Sequence, residues 1–262
     1  MITFSAIVPH PPIIIPGIGR KDDLWKAQRT IAAIKKLKVE LKDVHPDTIL
    51  VVSPHAPTDY NSFLINSSNP IEGNFFNFNL DMEFSFENDI ELAKEISREG
   101  VRKNVAVRFF DNSIDHGALV PLFYLAQEIK KIKIVHLSFS SLNYRSHLNY
   151  GKLIGKICAK SPKKIALIAS ADLSHRLTVN APKGFSPIGK EFDQQLINLL
   201  NKGDVDGILN MDKDLISGAK ECGLRSIIML LGMVDGTKYK FKELSYEGPF
   251  GVGHLVGEFV IN

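Results

Sequence analysis

The 262-residue chain is 44% hydrophobic and 23% charged, with 13 prolines and 19 glycines, a composition that buries a substantial core and excludes a predominantly disordered polypeptide. Its 32 basic and 29 acidic residues leave a net charge of +3, and the lysines are spread over segments such as 32–42 rather than massed in one patch, so no nucleic-acid partner is expected. Two cysteines, Cys158 and Cys222, are too few for a secreted disulfide framework and point to a reducing cytoplasm, while the absence of a signal-peptide pattern or a long apolar run makes membrane association unexpected.

Residues 2–8 read as a buried strand that must end before His10, because Pro9, Pro11 and Pro12 cannot donate to a sheet ladder. His10 is thereby set on a stiff turn at a strand tip. Residues 22–42 place Leu24, Ile31, Ile34, Leu37 and Leu41 near helical spacing, and residues 48–52 read as a second strand. That strand leads into SPHAP, which repeats the layout of VPHPP: apolar run, proline, histidine, proline. The strand–helix–strand unit predicts parallel pairing of the two strands, with His10 and His55 at the same sheet edge. We read these two histidines as ligands of one metal ion.

Within residues 59–87, Phe76, Phe78, Leu80, Met82, Phe84 and Phe86 alternate with polar residues, the period of a half-buried strand in an antiparallel extension. Regular alternation then resumes: a helix over 89–100 closed by Gly100, a strand over 105–109, a helix over 116–127, a strand over 132–137, a helix over 144–160 and a strand over 164–170. Residues 178–188 contain Pro182, Gly184 and Pro187 and form a loop long enough to rim a site. A helix over 190–200, two short helical turns within 204–217 and a buried helix over 221–232 follow, the last with Glu221 and Cys222 in its first turn. Strands over 239–245 and 252–260 close the chain. The expected fold is one three-layer α/β/α domain over residues 1–262 around a mixed, mainly parallel sheet.

Two further histidines stand in contexts suited to chemistry. His116 opens a helix directly after Asp115, an N-cap carboxylate, and the helix dipole would keep the imidazole neutral and able to hydrogen-bond a substrate oxygen. In SADLSH, Asp172 and His175 project from one turn after a strand, so His175 fits a general base whose tautomer Asp172 or Ser174 would fix. No G-x-S-x-G elbow, phosphate-binding loop or G-x-G-x-x-G run after a strand is present, so neither a serine hydrolase nor a nucleotide-binding protein is supported. His254 and Cys158 read as packing residues, and a small buried hydrophobe is the plain alternative for Cys222.

Taken in order, VPHPP, SPHAP, DHGALVPL, SADLSH, KGFSPIGKEFD, ECGLRSIIMLLG and YEGPFGVGH resemble the LigB-type catalytic subunits of the class III extradiol dioxygenases. The closer likeness is to the Memo-like proteins and the LigB-like domain of the AmmeMemoRadiSam system. The resemblance implies a non-haem Fe(II) held by His10, His55 and a third ligand, with His175 as acid/base and His116 lining the pocket. A catechol-like aromatic and O₂ would be the substrates. For the third ligand the resemblance offers Glu221, as in the oxygenases, or Cys222, as in the Memo-like branch, where a thiolate would suit Fe(II), Zn or Cu(I). Adjacent residues on a helix point about 100° apart, so the two could not face one metal equally. Glutamate implies ring cleavage; cysteine implies a metal-binding or redox partner of a multi-protein system. A zinc hydrolase on the same ligands is a third option, and a homo-oligomer or association with such system proteins is the expected assembly.

Overall fold

The computed structural model describes residues 1–261. Its strands are β1 (Ile2–Val8), β2 (Thr48–Ser53), β3 (Phe63–Asn66), β4 (Ile71–Phe75), β5 (Leu80–Asn88), β6 (Val107–Phe110), β7 (Lys133–Ser138), β8 (Ile165–Ser170), β9 (Tyr239–Glu247) and β10 (His254–Ile261). Its helices are α1 (Lys21–Lys26), α2 (Gln28–Val44), α3 (Ile90–Arg102), α4 (His116–Leu125), α5 (Tyr144–Lys160), α6 (Pro187–Lys202), α7 (Val205–Leu209), α8 (Lys213–Ala219) and α9 (Leu224–Met233). The strands form one mixed sheet in the order β4-β5-β7-β2-β8-β1-β10-β9, with β3 also pairing β7 and β6 pairing β3. Pairing is parallel from β5 through β7, β2 and β8 to β1 and antiparallel at the β4–β5 and β1–β10–β9 flanks.

The central strands are buried on both faces, as their near-continuous apolar sequences require. Alternation along them divides the core in two. Ile7, Leu50, Val52, Leu167 and Ala169 pack toward α3, α5, α6 and α9, whereas Phe4, Ala6, Val8, Ile49, Val51 and Ile168 pack toward α2 and α4. The result is the expected three-layer architecture.

Several elements differ from expectation for local reasons. β1 and β2 run parallel but do not pair, because β8 lies between them and bonds to both. The long first helix is broken at Ala27 into α1 and α2. Gly100 is not a C′ residue: α3 continues to Arg102, and Gly100 instead lets β6 approach, since a Cβ there would lie 2.6 Å from Val107 Cγ2. Residues 76–78 form a 3-10 turn, so the aromatic alternation becomes a strand only from Leu80, paired antiparallel to β4. Glu221 and Cys222 precede α9 in the turn that Gly223 ends, rather than occupying its first turn. That turn is fixed by Lys220, left-handed at φ 56°, and by Gly223, where a Cβ would lie 2.5 Å from Ala171 Cβ. α9 in turn packs closely on α5: a Cβ at Gly151 would fall 2.2 Å from the Met229 carbonyl oxygen, and one at Gly232 would fall 2.3 Å from that of Leu148.

Candidate metal centre

Because β2, β8 and β1 are parallel neighbours, their carboxyl ends open at one edge, the usual position of sites in such sheets. His10 follows β1 and His55 follows β2, and their Nε2 atoms stand 3.1 Å apart. The turn before α9 brings Cys222 Sγ to 3.5 Å from His10 Nε2. The three donor atoms lie within 4.8 Å of one another, His10 buried, Cys222 half-buried and His55 open to solvent. Two imidazole nitrogens each about 2.1 Å from one ion and roughly 90–110° apart stand about 3.0–3.4 Å from each other, and a nitrogen and a thiolate sulfur bound at about 2.3 Å stand about 3.1–3.6 Å apart. The observed separations fit both ranges.

The hydrogen bonds around His10 fix which of its nitrogens is free. Ser170 Oγ, at the end of β8, donates its single proton to the Gly117 carbonyl, so at 2.8 Å it accepts from His10 Nδ1–H. The lone pair is left on Nε2, the atom facing His55 and Cys222. Burial, and then the neighbouring His55 and His116, lower the His10 pKa well below its ordinary value, and burial does the same for His55 ahead of His116, so both rings are neutral and able to ligate. Burial, with Asp172 and Glu221 adding to it, pushes the Cys222 thiol well up, and a metal must displace its proton.

The remaining predicted residues fall around this cluster. Glu221 turns away from it: its carboxylate accepts the Leu224 N–H at 2.6 Å and caps α9. Burial raises the Glu221 pKa against the pull of that hydrogen bond and of Arg225. Asp172 Oδ1 accepts the His10 N–H at 2.9 Å and Oδ2 stands 3.5 Å from His10 Nε2, so it serves His10 rather than His175. Ser174 Oγ donates to the Ala219 carbonyl, and the expected tautomer-fixing bond to His175 is absent from both candidates; His175 Nδ1 is buried without a partner. His116 lies against His55, with ring centroids 4.2 Å apart and planes tilted by 31°, and Phe78 meets His116 edge to face with centroids 5.5 Å apart. Burial, rather than the helix end, lowers the His116 pKa, opposed by Asp115 and Asp172. His254 is fully buried beside Asp172, and burial holds it down at about 4.

Asp115 does more than cap α4 through the Ala118 N–H. It accepts from Ser53 Oγ at 2.5 Å, and that same oxygen accepts the His55 N–H at 3.2 Å. Its other oxygen lies 2.9 Å from Nε2 of His136, a fully buried residue of β7. Asn66 Oδ1 accepts from Ser68 N–H, which turns its amide nitrogen toward Asn112 O and His136 Nδ1 and so places the His136 proton on Nε2. Burial pushes the Asp115 carboxyl up, but His136 and Ser53 override it and hold it far below the usual carboxylate range. Only glycine fits at 117, where a Cβ would lie 2.5 Å from Ser53 Oγ and 3.0 Å from His55 Cδ2. Sequence patterns missed Ser53, Ser170 as a partner of His10, and His136; the one available signal for His136 was a lone imidazole inside the apolar strand KIVHLS.

A buried carboxylate stands behind the other half of the site. Asp193 of α6 accepts the Ser174 N–H at 2.8 Å and the Tyr246 hydroxyl at 2.7 Å, anchoring the turn that carries Asp172 and His175. Burial pushes its pKa up to about 7 against those two hydrogen bonds.

The chain belongs to the family of catalytic LigB subunits of aromatic ring-opening dioxygenases, whose family model matches residues 5–257. Its fold is also that of uncharacterized protein JW3007 from Escherichia coli K12, with a TM-score of 0.71 at 18% identity over 98% of this chain and 99% of that one. Among curated relatives, protein CA_C1420 of Clostridium acetobutylicum is 34% identical over 261 residues, 95% of this chain and 56% of the relative. This chain thus spans about half the length of that protein. The beta subunit of 2-aminophenol 1,6-dioxygenase from a Pseudomonas species is 25% identical over 253 residues, covering 81% of this chain and 78% of the subunit. No helix among the described residues is long and apolar enough to cross a membrane.

Proposed function

We propose that residues 1–262 form one catalytic domain, a cytoplasmic non-haem oxygenase that binds a single Fe(II) through His10, His55 and Cys222 and acts on a catechol-like aromatic with O₂. One observation carries this: in a member of the ring-opening dioxygenase family, two neutral imidazole nitrogens and a sulfur converge within 4.8 Å at the carboxyl edge of the sheet. Three protein ligands leave coordination positions open, and iron so held would supply the site for an oxygenated aromatic and O₂. The chain's own residues do the rest. His116 and Phe78 wall the pocket, His175 moves the substrate proton, and Asp172 holds the His10 backbone.

His175→Ala is expected to retain metal, by elemental analysis after anaerobic purification, while O₂ uptake across a panel of catechols falls by about 100-fold or more, the usual scale of a lost general base. Unchanged uptake on an active catechol would remove His175 from the reaction.

A specific observation favours a second function: Cys222, not Glu221, faces the histidines. A thiolate favours Cu(I) or Zn over the carboxylate-held iron of ring cleavage, which fits a Memo-like metal-binding or redox protein that works with other chains of an AmmeMemoRadiSam-type system. Copper or zinc in the purified protein, with no O₂ uptake on any catechol, would select this function over the first.

A further inference from the structure

On the far side of the turn that carries Cys222 lies a cleft of about 330 Å³, lined by Tyr144, Lys213, Ile216, Lys220, Glu221 and Arg225. None of its three cations is in an ion pair among the described residues. The two lysines are exposed at the rim, where an unpaired charge is ordinary. Arg225 is different. It is half-buried, its Nε is shielded from solvent without a hydrogen-bond partner, and its guanidinium carbon sits 5.2 Å from the Tyr144 ring and 5.8 Å from the Phe139 ring. Two aromatic rings therefore hold a planar cation whose buried Nε–H has no acceptor within the protein, and a buried donor left unpaired is costly unless something is recognised there. The nearby carboxylate, Glu221, is occupied by the Leu224 N–H and does not neutralise Arg225 within ion-pair distance.

We propose that this cleft is a binding site for a small organic oxyanion, a carboxylate or phosphate group that pairs with Arg225 and is flanked by Lys213 and Lys220. A planar guanidinium matches the two oxygens of such a group, and Tyr144 and Ile216 offer an apolar wall to the carbon skeleton attached to it. The site is separate from the metal centre: Cys222 and Glu221 are neighbours in one turn whose two sides face the two pockets.

The test uses the full chain stripped of metal and labelled with ¹⁵N, titrated separately with inorganic phosphate and with succinate while the Arg225 Nε–H resonance is followed. Saturable movement of that resonance by either anion is expected, and whichever binds tighter identifies the favoured group. The double variant Lys213→Gln/Lys220→Asn, altered only at exposed positions and with asparagine suited to the left-handed backbone at 220, should bind about tenfold more weakly. Cys222→Ser should bind as the parent does, which separates this site from the metal centre. A linear, unsaturated response to both anions, or equal affinity in parent and double variant, would overturn the proposal.

Discussion

At the scale of single residues, Glu221 and Cys222 are adjacent and face opposite ways, which makes them separable by substitution. Cys222→Ser should lower metal affinity by more than the about 10–100-fold that loss of an outer partner costs. Glu221→Ala should not lower metal content, since it removes no ligand and relieves the charge that opposes the Cys222 thiolate, and should cost about 0.5–2 kcal/mol of stability through the lost acceptor at the start of α9. Metal analysis and urea unfolding of the two variants would read both outcomes. Equal loss of metal in both would mean that the glutamate also ligates. Ser170→Ala leaves His10 buried but frees its tautomer, and metal affinity should drop about 10–100-fold with little change in secondary structure, measured by competition with a chelator.

At the scale of elements, the position of the cysteine depends on how close α9 lies to α5. Glycines at 151, 155 and 232 set that distance, each with backbone of the opposite helix within 2.3 Å of where a Cβ would stand. Gly151→Ala forces the helices apart and should destabilise the chain by about 1–3 kcal/mol, seen as a lower unfolding midpoint. α5 was legible in the sequence with its bounds, and α9 as a buried helix expected from residue 221 that begins at Leu224. What could not be read was the α5–α9 contact, since a glycine inside a helix has the same local signal whether it spares a neighbour or merely weakens the helix.

At the scale of the whole molecule, Asp193 joins α6, β9 and the turn after β8, and its raised pKa makes that junction pH-sensitive. Its folded pKa of about 7 lies above the ordinary 3.8, so the protonated form is the one folding favours. The stabilisation is complete below about pH 4 and is lost as pH rises toward about 7, by at most about 1.4 kcal/mol for each unit. Asp193→Asn should flatten this slope in denaturant midpoints measured between about pH 5 and pH 8; a slope equal to the parent's would assign the effect to another group. Sequence patterning made the layered architecture, the parallel centre and the two proline-flanked histidines legible, because periodicity and proline act locally. Strand order was not legible: nothing near residue 165 marks β8 as the strand that enters between β1 and β2. The choice between Glu221 and Cys222 was also hidden, since it turns on a left-handed Lys220 and a crowded Gly223 rather than on helical spacing.

The insertion of β8 between β1 and β2 has a bearing on the order of assembly during synthesis. His10 and His55 are both made before the rest of the site, for the strand that sets their spacing and supplies the serine beneath His10 comes more than a hundred residues after His55, and the sulfur comes later still. Until then the two histidines stand with no cage around them, and the cluster of two imidazoles and a thiol exists only once β8 and the turn before α9 are in place.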